Sequence, residues 1–131
     1  MRKRLLAFFT AVIFFVMPQV TLAADMNENM ITPRWTYVYS ISALVTPNGF
    51  VGGGVILEDD NDFLLIVQLQ EDDGSGWSTI ETWSLEGNYS GAIEEYYDLD
   101  SDSEYRAKVT AKVFTDLGRL VETVSIYSDP V

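Results

Sequence analysis

The sequence predicts an all-β protein, an antiparallel sandwich of about seven strands, and three observations carry that expectation. Apolar and polar residues alternate over long runs, most cleanly where Tyr105, Ala107, Val109, Ala111 and Val113 interleave with Arg106, Lys108, Thr110 and Lys112. Such a period of two marks a half-buried strand. Turn clusters such as Thr46-Pro47-Asn48-Gly49 and Asp72-Asp73-Gly74-Ser75-Gly76 recur at about the 8–12-residue spacing of sandwich proteins. No window after residue 24 sustains the i, i+3, i+4, i+7 pattern of a helix without a Gly or a β-branched run breaking it. A small closed barrel uses the same alternation and stays open as an alternative.

The chain opens differently. Arg2, Lys3 and Arg4 form a positive start, Leu5 to Met17 is an apolar run interrupted by Thr10, Pro18 breaks it, and Thr21-Leu22-Ala23-Ala24 offers small residues for cleavage. That is the pattern of a signal peptide helix, whose apolar core is about 7–15 residues, rather than of a membrane span, which needs about 20. The expected organisation is therefore a signal peptide over 1–24, cleaved after Ala23 or Ala24, a flexible polar leader over 25–33, and a β-sandwich domain over 34–131. The expected product is secreted, extracellular and without a membrane anchor.

Seven strands are expected in order. The first runs from Arg34 through Trp35, Tyr37, Tyr39 and Ile41 to the turn at Thr46–Gly49. Phe50 to Leu57 is the second, and its three glycines, Gly52 to Gly54, signal a bulge or a close backbone approach. The third, Phe63 to Gln70, places Phe63, Leu65, Val67 and Leu69 on one face and is expected to be the most buried. Trp77 to Leu85 is the fourth, with Glu86-Gly87-Asn88 as the following turn. Ala92 to Leu99, Tyr105 to Val113 and Leu120 to Tyr127 complete the set, the last two joined through Asp116-Leu117-Gly118-Arg119.

Composition excludes several functions. The chain has no His and no Cys, so it holds neither a Ser-His-Asp nor a Cys-His nucleophile system, nor a redox pair, nor a zinc or haem site built on those ligands. Residues 25–131 carry five cations, Arg34, Arg106, Lys108, Lys112 and Arg119, against all 20 carboxylates, a net charge of −15. Nucleic acid is a poor partner for such a surface, because phosphate binding relies on clustered Lys and Arg.

Leu99-Asp100-Ser101-Asp102-Ser103-Glu104-Tyr105-Arg106-Ala107-Lys108-Val109 resembles the E–F corner of fibronectin type III domains. There a core Leu is followed six residues later by a Tyr whose hydroxyl bonds back to the backbone. The resemblance implies an immunoglobulin-like sandwich in which Leu99 and Tyr105 are structural, covers Phe63 to Val131 in strand order, and carries no function. The chain departs from that family in lacking a strand-B tryptophan and in placing Ser101 where a proline is usual. The immunoglobulin cysteines and strand-C tryptophan are also missing. The layout Pro33-Arg34-Trp35-Thr36-Tyr37, Gly76-Trp77-Ser78-Thr79-Ile80 and Tyr105-Arg106-Ala107-Lys108-Val109-Thr110-Ala111 behind a signal peptide also resembles a family of small secreted proteins of unknown function in Gram-positive bacteria. Some of those relatives carry a cysteine pair absent here.

Two sets of residues are candidates for contact. Trp77, Trp83 and Tyr96 are tentative ligand-binding aromatics, since exposed rings stack on sugars or apolar ligands. Trp77 and Trp83 share parity, so both face one side unless a bulge intervenes, and inward if the core claims them. Adjacent Tyr96 and Tyr97 point to opposite faces. Glu71, Asp72, Asp73, Asp100 and Asp102 come from loops at one end of a sandwich and could supply the oxygens that Ca²⁺ requires. Asp98-x-Asp100-x-Asp102-x-Glu104 is no EF-hand, because Ser103 and Val109 stand where Gly and Glu are needed. Glu94, Glu95 and the acidic loops offer carboxylate pairs for acid–base work, but abundance singles none out and no catalytic residue is assigned. The expected function is a secreted, non-catalytic binding module whose partner is an extracellular protein or a carbohydrate, with no cofactor unless Ca²⁺ is bound. A Ca²⁺-stabilised extracellular domain and a small carboxylate-dependent hydrolase are the alternatives.

Overall fold

Alternation in the sequence becomes alternation in burial. In the computed structural model, which describes residues 4–6 and 35–131, every second residue from Phe63 to Leu69 and from Tyr105 to Val113 is buried while its neighbours are partly exposed. The strands are β1 (Arg4–Leu6), β2 (Val38–Val45), β3 (Phe50–Leu57), β4 (Asp62–Asp72), β5 (Trp77–Asn88), β6 (Ser90–Tyr97), β7 (Glu104–Phe114) and β8 (Leu120–Tyr127). They form two antiparallel sheets of order β1-β6-β3-β2 and β5-β4-β7-β8. The seven strands from β2 to β8 make the all-β sandwich, and the described residues contain no helix. Of the expected leading helix only Arg4–Leu6 is described, as a strand beside Tyr97–Glu95 of β6. The cleavage positions Ala23 and Ala24 and the leader 25–33 lie outside the described residues.

One apolar layer fills the space between the sheets. Val51, Val55 and Leu57 of β3 face Phe63, Leu65, Val67 and Leu69 of β4 and Ala107, Val109, Ala111 and Val113 of β7, all at most 2% exposed. Gly53 explains how closely the sheets approach, because a Cβ there would stand 2.6 Å from the γ-carbons of both Val67 and Val109. The glycine run is thus a close approach, and both ladders of β3 are regular along Gly52–Gly54, the register shift of β2 against β3 lying at Val38/Ser40. At the opposite end the Phe63 ring fills the space that a Cβ at Gly87 or Gly91 would need.

Several boundaries differ from expectation: β4 runs from Asp62 to Asp72, β6 starts at Ser90, β7 gains a residue at each end, and three further differences have a visible cause. β2 begins at Val38 rather than Arg34, because the chain enters it along a carboxylate of β8 rather than in a sheet ladder. Glu86–Asn88 stays within β5, paired with Asp62–Leu64, and the turn contracts to Tyr89, whose φ of 69° reverses the chain. β6 stops at Tyr97, so Leu99 lies in the following loop, partly buried against the core.

Candidate functional site

β7 is a central strand of its sheet, and its two faces have opposite chemistry. The inner positions are Tyr105, Ala107, Val109, Ala111 and Val113; the outer ones include Arg106, Lys108, Thr110 and Lys112. Three of the five cations in residues 25–131 therefore project from one strand onto one face. Their cross-strand neighbours carry no charge: Arg106 lies opposite Gln70, Lys108 between Gln68 and Tyr127, and Lys112 between Leu64 and Thr123. Further hydroxyls line the same face, where Thr110 and Ser125 are hydrogen-bonded at 2.8 Å.

Arg106 is held in place from several sides. Its Nε donates to Gln70 Oε1 at 2.8 Å, and Gln70 Nε2 in turn donates to Thr79 Oγ1 at 3.2 Å. Its guanidinium carbon lies 4.3 Å from the centre of the Trp77 ring and 4.1 Å from that of Tyr127. At such distances the ring faces attract the cation electrostatically. Lys108 Nζ stands 5.9 Å from the Tyr127 ring. The result is an ordered line, Trp77 on β5, Arg106 on β7 and Tyr127 on β8, crossing one end of the outer face.

Trp77 reaches that line through a bulge. Leu69 pairs with Glu81 but Gln70 pairs with Thr79, so Ile80 is an extra residue in β5 and reverses the parity of everything before it. Trp77 and Trp83 consequently lie on opposite faces, which corrects the expectation from parity alone. Trp83 packs against the core beside Val67. Among the described residues its buried indole N–H has no hydrogen-bond partner. Tyr96 stands elsewhere again, on the outer face of the other sheet, edge-on to Phe50 with ring centres 5.4 Å apart. The three aromatics singled out in the sequence are not brought together. Arg106, Lys108, Lys112 and Tyr127 were the residues missed, and the spacing of the lysines and arginine at even steps along one strand was the signal that could have found them.

The acidic residues at one end have structural partners. Tyr105 Oη accepts the Asp100 N–H at 2.8 Å and donates to Glu71 Oε2 at 3.2 Å, which ties the loop after β6 to β4. Burial pushes the Tyr105 phenol above its ordinary value, the Asp100 N–H pulls against that, and the Glu71 carboxylate adds to the rise. Asp72 Oδ1 accepts the N–H groups of Gly74 and Gly76, and Asp73 Oδ1 accepts both the N–H and the hydroxyl of Ser75. Those bonds, the Ser75 hydroxyl first, hold the Asp73 carboxyl below its usual range. Asp102 donates its N–H to Asp100 Oδ1 at 3.5 Å. Among the described residues no three carboxylates gather where they could share a metal ion. Neighbouring Glu94 and Glu95 project to opposite faces of β6, so they do not form an acid–base pair.

Comparison with known proteins finds no family model, no curated protein and no solved structure that matches the chain.

Proposed function

We propose that the protein is an exported, non-catalytic binding module and that its contact surface is the outer face of the β5-β4-β7-β8 sheet. The observation that carries this reading is the Arg106 guanidinium set between the Trp77 and Tyr127 rings. Ordering a long side chain on an exposed sheet costs conformational entropy, and aromatic rings left on a surface mark contact sites more often than their own packing requires. The same face carries most of the cations of an otherwise acidic domain, which gives it a chemistry distinct from the rest of the surface. The strand order and the Tyr105 bond to the loop backbone support a fibronectin type III-like classification, which by itself carries no function.

An array of oligosaccharides and peptides tests the reading. The protein expressed from the full chain is collected in its exported form and compared with Trp77→Ala and Tyr127→Ala. Ligands held by the wild-type protein are expected to bind each variant about 5- to 30-fold more weakly, since truncating one contacting ring removes about 1–2 kcal/mol. Equal binding by all three proteins would move the site off this face.

A further inference from the structure

We infer that this face takes an acidic polysaccharide, a chain of sugar rings bearing carboxylate or sulfate groups, an inference that rests on the reading of the face as the binding surface. Two kinds of group are needed to hold such a chain, and both are present within one short span. Arg106, Lys108 and Lys112 supply the positive charge. At about 3.3 Å per residue along a strand they are spread over roughly 20 Å, a row suited to an extended polymer rather than to one small anion. Tyr127, 51% exposed, and Trp77 offer ring faces at the Arg106 end, where a sugar ring can stack. Gln68, Thr110 and Ser125 between them add hydrogen-bonding groups that match sugar hydroxyls.

Charge density separates this ligand from nucleic acid. Duplex DNA carries one negative charge per about 1.7 Å, and a domain of net charge −15 repels it strongly. A polyuronate carries a single charge per sugar residue, a lower density than that of a duplex, so the three cations suffice for the stretch lying over them; a densely sulfated chain tests the upper limit of that density. Carboxylates stand at the two ends of the row: on one side Asp62 and Glu86 on the face itself with Glu58–Asp60 and Asp116 in the loops, and on the other Asp72 and Glu104 on the face with Asp73 and Asp98–Asp102 in the loops. They confine a bound anion to the middle of the face and penalise misplaced registers. An acidic peptide would meet the same cations but would leave the ring faces without flat apolar partners.

Calorimetric titration of the exported protein with four probes decides the matter: a galacturonic acid hexamer, a heparin hexasaccharide, maltohexaose and poly-L-glutamate. The inference expects one or both acidic sugars to bind at least about tenfold more tightly than maltohexaose and poly-L-glutamate. It expects the double variant Lys108→Gln/Lys112→Gln, and separately Tyr127→Ala, to weaken that binding about tenfold or more with an unchanged near-ultraviolet circular dichroism spectrum. Equal binding of maltohexaose overturns the requirement for acid groups, and equal binding of poly-L-glutamate overturns the requirement for sugar. Absence of binding by both acidic sugars overturns the inference outright. In each of these cases the assignment of the face still stands or falls separately, on whether array ligands are lost in the Trp77 and Tyr127 variants.

Discussion

Glu122 fastens the start of the sandwich to β8, and nothing near it in the chain announces this. Its Oε2 accepts the Thr36 N–H at 2.8 Å and its Oε1 accepts those of Tyr37 and Val38 at 2.7 and 3.0 Å. Three consecutive backbone donors that no ladder reaches are thereby satisfied, and the entry to β2 is fastened to β8. Bonds to an ionised acceptor are stronger than neutral ones, so Glu122→Gln is expected to cost about 1–3 kcal/mol, read as a lower urea midpoint with an unchanged slope. Tyr105 gives the complementary case of a group that must stay neutral. Its folded phenol holds the proton more tightly than the unfolded one, so its contribution is whole below the ordinary tyrosine value near 10 and is lost as pH rises through the higher folded value. Urea midpoints between pH 8 and 11.5 are expected to fall steeply at the alkaline end for the wild type and less steeply for Tyr105→Phe. Parallel curves would separate the phenol from the alkaline limb.

Among the elements, β5 is where the reading of the face depends most on a local irregularity. Deleting Ile80 converts the observed pairing into an unbroken ladder with β4 and leaves Trp77 opposite Asp72 on the outer face. The variant is expected to keep the Trp77–Arg106 contact, seen as an unchanged tryptophan fluorescence spectrum, with a lower thermal midpoint because Ile80 packs against the core. A shifted spectrum would mean that Ile80 is not the extra residue that sets the orientation of Trp77. The same element marks the boundary of what could be read from sequence. β3, β4, β7 and β8 were legible because their alternation is long and regular, and the ends of β3 and β8 fall where the pattern ends. A bulge leaves no such mark: Trp77, Ile80 and Trp83 look alike in a period-2 reading, and only pairing with Leu69 and Gln70 shows which residue is extra. Glu86-Gly87-Asn88 has turn composition yet remains paired, because the Phe63 ring needs the space over Gly87 and the reversal can be made at Tyr89. Glu122 and its three partners lie 84 to 86 residues apart, a distance over which local pattern carries no information.

The whole molecule is a strongly acidic body with one row of cations, along β7. Of residues 25–131, five cations face 20 carboxylates, so self-repulsion opposes folding and added salt is expected to raise the thermal midpoint by screening. Calcium is expected to do no more than NaCl matched for ionic strength, because Asp72 and Asp73 already direct their oxygens at their own loop and Glu71 at Tyr105. A midpoint raised by millimolar CaCl₂ well beyond the salt control, and reversed by EDTA, would instead establish a calcium-stabilised domain through binding linkage. Under the proposed export, with cleavage after Ala23 or Ala24, Arg2, Lys3 and Arg4 are removed and the cations of β7 remain as the main positive feature of the surface. The most direct test of the account is a ¹H–¹⁵N shift map of the exported protein titrated with the tightest ligand from the array. The account expects the largest changes at Gln70, Trp77, Arg106, Lys108 and Tyr127, with the β6-β3-β2 sheet and the acidic loops nearly unmoved. Changes centred on Asp72–Gly76 and Asp98–Ser103, or on Phe50 and Tyr96, would contradict it.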